Sequence, residues 1–121
     1  MRRAALALAL AALLPAAAAA QENATRGTGA VLRGLEKVSG DIVDMTLSPG
    51  EETRFGPLSV ALLECRYPQG DPAGDAFAYV TIRDDSEPEP IFSGWMIASS
   101  PALNALDHPR FDVWVLRCKT E

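Results

Sequence analysis

The sequence predicts an all-β fold: a small β-sandwich or partly open barrel with one short helical turn. Three observations carry that expectation. Apolar residues recur with a period of two through most segments between residues 41 and 118, Pro-, Gly- and Asp-rich turns separate those segments, and only residues 101–106 carry a helical pattern. Both tryptophans, the single histidine and one of the two cysteines fall in the last third of the chain.

The amino terminus reads as a leader. Met1-Arg2-Arg3 is a short basic start, residues 4–14 form an unbroken apolar run of 11, Pro15 breaks it, and Ala18-Ala19-Ala20 offers small residues for a signal peptidase. Eleven apolar residues are too few to cross a hydrocarbon core about 30 Å thick, so residues 1–20 are expected to be a cleavable signal peptide and the mature chain to carry no transmembrane segment. The expected location is the periplasm. No cysteine follows the cleavage region to take a lipid anchor, and Arg2-Arg3 alone does not make a twin-arginine signal.

About 100 residues remain, one domain with enough chain for a core. Two of the 11 basic residues and none of the 16 acidic ones lie in the leader, so the formal charge moves from −5 to −7 once it is removed. Two lysines and scattered single arginines give no surface for nucleic acid or anionic lipid, both of which need clustered positive charge.

Taken in order, residues 21–28 are polar and aperiodic, which suits a flexible mature N-terminus; residues 29–121 are the single β domain. The Asn23-Ala24-Thr25 glycosylation pattern carries no weight behind a bacterial-type leader. Residues 29–40 mix apolar residues with glycines, as an irregular lead-in strand does. Residues 41–47 alternate, placing Val43, Met45 and Leu47 inward, and Ser48-Pro49-Gly50-Glu51 is a turn. Residues 52–55 form a short strand closed by Gly56-Pro57. In the strand over 58–67, strict alternation puts Cys65 on one face with Ser59, Ala61 and Leu63. Residues 68–75 are a loop. Residues 76–83 set Ala76, Ala78, Val80 and Ile82 against Phe77, Tyr79 and Thr81, and residues 84–90 form an acidic tip bounded by prolines. A strand over 91–97 contains Gly94, which suggests a bulge or a close approach. Ser100 caps one to two helical turns with Pro101 at the first position. The last strand, 111–118, aligns Trp114, Leu116 and Cys118.

Two cysteines in an exported chain most simply form one disulfide, Cys65–Cys118, closing a loop of roughly 54 residues worth on the order of 4 kcal/mol. There is no Cys-x-x-Cys pair, and the chain owns too few Cys and His for a zinc site; neither a metal nor a cofactor is expected.

Several segments resemble a family of small exported bacterial proteins of unknown function: Gly34-Leu35-Glu36-Lys37-Val38-Ser39-Gly40, Phe55-Gly56-Pro57-Leu58, Ala76-Phe77-Ala78-Tyr79-Val80, Phe92-Ser93-Gly94-Trp95-Met96, and His108-Pro109-Arg110-Phe111-Asp112-Val113-Trp114-Val115. Members of that family tend to have Asp and Thr where Glu36 and Ser39 stand. The resemblance spans residues 29–118 and implies export and a single domain, but no activity.

Candidate chemistry is sparse. His108 is the one side chain suited to proton transfer near neutral pH, with Asp107, Asp112, Ser99 and Ser100 close in sequence. No Gly-x-Ser-x-Gly elbow accompanies it, and no catalytic residue is assigned. The acidic stretches 71–75 and 84–89 lack calcium-loop spacing and read as solvated loops. Glu51 and Glu52 offer nothing beyond the carboxylate pairs any acidic protein contains. Phe77, Tyr79, Trp95 and Trp114 suit either core filling or a platform for a glycan or a protein partner. Trp114 is expected in the core. Trp95, beside a gap left by Gly94, is the leading binding residue, with His108 second. The expected function is a non-enzymatic binding or structural module engaging a protein of the cell envelope; the competing reading is a small exported hydrolase or an enzyme inhibitor.

Overall fold

In a computed structural model of the chain, residues 23–121 are described; the proposed signal peptide, residues 1–20, lies outside them. The fold is all-β. Eight strands run in the order β1 (Ala24–Arg26), β2 (Gly29–Glu36), β3 (Ile42–Leu47), β4 (Glu52–Phe55), β5 (Leu58–Pro68), β6 (Phe77–Asp84), β7 (Phe92–Ile97) and β8 (Phe111–Lys119). A five-stranded antiparallel sheet has the order β1-β5-β6-β7, with β4 paired to β5 beside β1, and a three-stranded sheet has the order β3-β2-β8. The two sheets face each other across one core.

The alternation expected over residues 76–83 holds: Ala76, Ala78, Val80 and Ile82 are all buried. On β5 and β8 it fails in the same instructive way. Leu58, Val60 and Leu62 point inward, and Phe111, Val113 and Val115 do the same from β8. Each strand then carries one extra residue, Leu63 against β6 and Leu116 against β2, where the pairing register shifts. A bulge of this kind reverses the faces of everything after it. The next inward residues are therefore Cys65 and Cys118, joined by a disulfide with the Cα atoms 5.7 Å apart. Cys65 thus shares its face with Leu62, not with Leu63, and Cys118 with Val115, not with Trp114 and Leu116. The cross-strand neighbours of the two cysteines are Ala78 and Ala30, small enough to let the sheets pinch together there.

Three further expectations are corrected. Residues 24–26, read as part of a flexible terminus, form β1 and pair with residues 66–68 of β5; three polar or small residues give no periodic signal, and the backbone ladder makes the strand. Met45 and Leu47 are buried as expected, but Val43 is exposed and lines an open hollow with Phe55, Gly56 and Pro57. The helical turn shrinks to a single 3₁₀ turn over Pro101–Leu103, and the Ser100 side chain does not cap it. Leu106 nonetheless reaches the core.

Candidate functional site

The outward face of the larger sheet is built by the residues between the buried ones. On β6 these are Phe77, Tyr79 and Thr81, whose partners across the ladder on β7 are Ile97, Trp95 and Ser93. From β5, Glu64 stands opposite Tyr79 and Arg66 opposite Phe77, and β1 sets Arg26 opposite Arg66. Trp95 is 37% exposed. Its ring meets Tyr79 edge-on, with centroids 5.3 Å apart at 87°. The Arg66 guanidinium lies 5.7 Å from its centroid, a cation–π contact. A shallow cleft of about 250 Å³ opens between Ala24, Arg66, Phe77, Trp95 and Ile97.

The charges at this cleft are unequal. Arg66 Nε donates to Glu64 Oε1 at 2.7 Å and Nη2 to Oε2 at 3.4 Å. Arg26 Nε approaches the same Oε1 at 3.3 Å. Hydrogen bonding from Arg66 outweighs desolvation and, with the charges of Arg66 and Arg26, holds the Glu64 carboxyl below its ordinary range. One carboxylate thus serves two guanidiniums, which face each other as a like-charged cross-strand pair.

The gap beside Gly94 is closed from within. A Cβ at Gly94 would lie 2.8 Å from Asn104 Nδ2, and that amide donates to the Trp95 carbonyl at 2.9 Å. Gly94 thus admits the 98–110 connection against β7, where Asn104 occupies a hydrogen-bonding position on a sheet edge.

His108 has the orienting partner that the sequence did not reveal. Its Nδ1 accepts the backbone N–H groups of Arg110 and Phe111 at 3.0 and 3.2 Å. The ring hydrogen therefore belongs on Nε2, which faces Asp84 Oδ2 at 3.2 Å. Backbone bonding from Ser86 outweighs desolvation and, together with His108, keeps the Asp84 carboxyl below its ordinary value. Lys37 Nζ donates to the His108 carbonyl, Arg110 pairs with Glu36, and Phe55 packs edge-on against Phe111. Three of the segments that carried the family resemblance, 34–40, 55–58 and 108–115, meet here.

Ser99 goes elsewhere. Its hydroxyl donates to Asp75 Oδ2 at 2.6 Å, while the N–H groups of Ser99 and Ala76 both reach Oδ1 at 2.9 Å. Burial raises the Asp75 pKa, but these three bonds outweigh it and leave the carboxyl below its ordinary value. Serine and histidine are bound to different aspartates, so no nucleophile–base pair forms between them. Three carboxylates of the acidic stretches are likewise committed to the protein: Asp75 to Ser99, Asp84 to His108, and Asp85 to Arg54. Among the described residues, no three His, Cys, Asp or Glu side chains gather as metal ligands do.

Trp114 is placed on the outer face of the smaller sheet, opposite Arg33, rather than in the core. It lines a hollow of about 360 Å³ with Pro101, Ala102, Ala105, Asp112 and Val113. The bulge at Leu116 separates it from Cys118. Sequence reasoning named Trp95 but missed Arg26, Arg66, Asn104 and Asp84. The period-two spacing of Glu64 and Arg66 was the one available signal, since it puts both on one face; Arg26 was hidden in the aperiodic terminus.

Residues 30–118 match the family described as "Uncharacterized protein conserved in bacteria (DUF2155)". The chain belongs to this family. It is similar to the uncharacterized protein RP359 of Rickettsia prowazekii, 29% identical over 87 residues, which cover 69% of this chain and 56% of that relative. The chain thus spans a little over half of the relative's length. No solved structure matches it. The family description carries no activity, and among the described residues no helix is long and apolar enough to cross a membrane.

Proposed function

We propose that this family member is exported to the periplasm and acts there as a non-enzymatic binding module that engages a protein of the cell envelope through the Trp95 face. The observation that supports this reading most directly is the exposed Trp95–Tyr79–Arg66 cluster beside an apolar cleft. Trp, Tyr and Arg dominate the binding energy of protein interfaces because they combine large contact area with directional polar groups. The leader-like residues 1–20 and the disulfide support an oxidising, extracytoplasmic setting.

The test is recovery of a cross-linked partner from intact envelopes. Wild type and Val38→Ser, a change at an exposed valine in the β2–β3 turn of the smaller sheet, are expected to give the same cross-linked species, and Trp95→Ala is expected to lose it. A partner retained at full yield by a folded Trp95→Ala variant would refute the assignment.

A further inference from the structure

We infer that the partner presents an apolar side chain flanked by carboxylates, the side chain entering the cleft between Phe77, Trp95 and Ile97 while the carboxylates meet Arg26 and Arg66. This rests on the reading of the Trp95 face as the binding surface and specifies what that face receives.

Past the leader the chain carries a formal charge of −7, yet the cleft is rimmed by two guanidiniums that share one carboxylate. Arg66 takes both oxygens of Glu64. Arg26 is 74% exposed and, among the described residues, donates no side-chain hydrogen bond; its only ion-pair contact is the 3.3 Å approach to Glu64. A second carboxylate relieves the like-charge pairing of Arg26 with Arg66 and gains charge-assisted hydrogen bonds from the unused donors.

Shape and chemistry narrow the class. The cleft walls are apolar: Ala24, Phe77, Trp95, Ile97 and the Arg66 stem. A stacked sugar ring is disfavoured because the Arg66 guanidinium already lies over Trp95, and Tyr79 abuts the same ring edge-on. An anionic membrane is disfavoured as well, because a lipid surface is read by clusters of several Lys and Arg, whereas this rim has two arginines and one glutamate. An acidic protein segment with an aliphatic residue fits both parts of the site.

The experiment titrates the isotope-labelled mature chain with the capped peptide Glu-Leu-Glu-Leu-Glu, its Gln and Lys counterparts, and chitotriose, following the Trp95 indole N–H and the amides of residues 26 and 66. The Glu peptide is expected to shift these signals, to bind at least about fivefold more tightly than the Gln peptide, and to weaken as salt rises toward about 0.5 M. Arg26→Gln is expected to weaken the Glu peptide about threefold to fivefold and leave the Gln peptide unchanged. Equal binding of the Gln or Lys peptide, a response to chitotriose alone, or no response to any peptide would each overturn the inference. Cross-linking from the Trp95 face separates the two failures. A partner captured there without Glu-peptide binding removes the acidic-segment inference and leaves the binding face standing. Failure of both removes the face as well.

Discussion

Two aromatic regions of this domain have opposite chemistry. Around His108 and Phe111 the polar groups are used up internally: both imidazole nitrogens are engaged, Lys37 reaches the His108 carbonyl, and Arg110 meets Glu36. Around Trp95 the aromatic rings lie on the surface, two arginines divide one glutamate, and an apolar cleft stands open. A cluster of chemically capable residues is therefore not by itself a functional site. What separates architecture from a binding face is whether the hydrogen-bonding capacity is already spent within the fold.

Removing the tie between the sheets should give the largest effect. Replacing both cysteines by alanine is expected to cost about 4 kcal/mol from the unfolded-chain entropy of the closed loop. In a domain of this size that lowers the thermal midpoint by about 15 °C or more, measurable by calorimetry. Within the His108 region, His108→Ala leaves two backbone N–H groups without their acceptor and Asp84 Oδ2 without its donor. The expected cost is about 1–3 kcal/mol by denaturant titration, with no effect on partner capture at temperatures where the variant is folded. Asp75→Asn weakens the clip on Ser99 and is expected to cost about 1–2 kcal/mol at neutral pH. At the other extreme, Arg66→Gln is expected to change stability by less than about 1 kcal/mol, because its ion pair is partly exposed, while reducing partner capture severalfold. A large stability loss in Arg66→Gln with unchanged capture would reverse the contrast between the two regions.

Acid acts on both regions, since Glu64 beside Trp95 is also held below its ordinary value. The carboxyls of Glu36, Asp75 and Asp84 all lie below their ordinary values of 4.5, 3.8 and 3.8 in the folded chain. As pH falls the unfolded chain takes up protons first, so their contribution is full above those ordinary values and is lost as pH drops through the folded ones. Stability should therefore decline below about pH 4.5, and Asp75→Asn should flatten part of that decline in pH-dependent denaturant titrations.

Much of the fold was legible in the sequence because period-two burial on β6 and the turn residues between strands are local signals. The disulfide pairing was legible for a different reason, since two cysteines allow one bridge. The faces of the cysteines were not, because the bulges at Leu63 and Leu116 insert one residue with no local signature and reverse everything beyond them. Val43 alternates with Met45 and Leu47 yet lines an open hollow beside Phe55, a placement that no local pattern reveals. His108 and Asp84 are 24 residues apart, and Arg26 meets Arg66 only through a strand of three residues. In the candidate site Trp95 was visible as an isolated aromatic beside Gly94, but the gap was misread: Asn104 fills it. The arginines that give the face its charge emerge only once β1 is laid against β5.

The decisive measurement compares Trp95→Ala with His108→Gln for cross-linked partner recovered from intact envelopes, with the folded fraction of each measured at the same temperature. Loss of the partner in folded Trp95→Ala, with retention in folded His108→Gln, is the predicted result. Retention in Trp95→Ala together with loss in His108→Gln would contradict it and move the functional surface to the His108–Asp84 end of the sandwich.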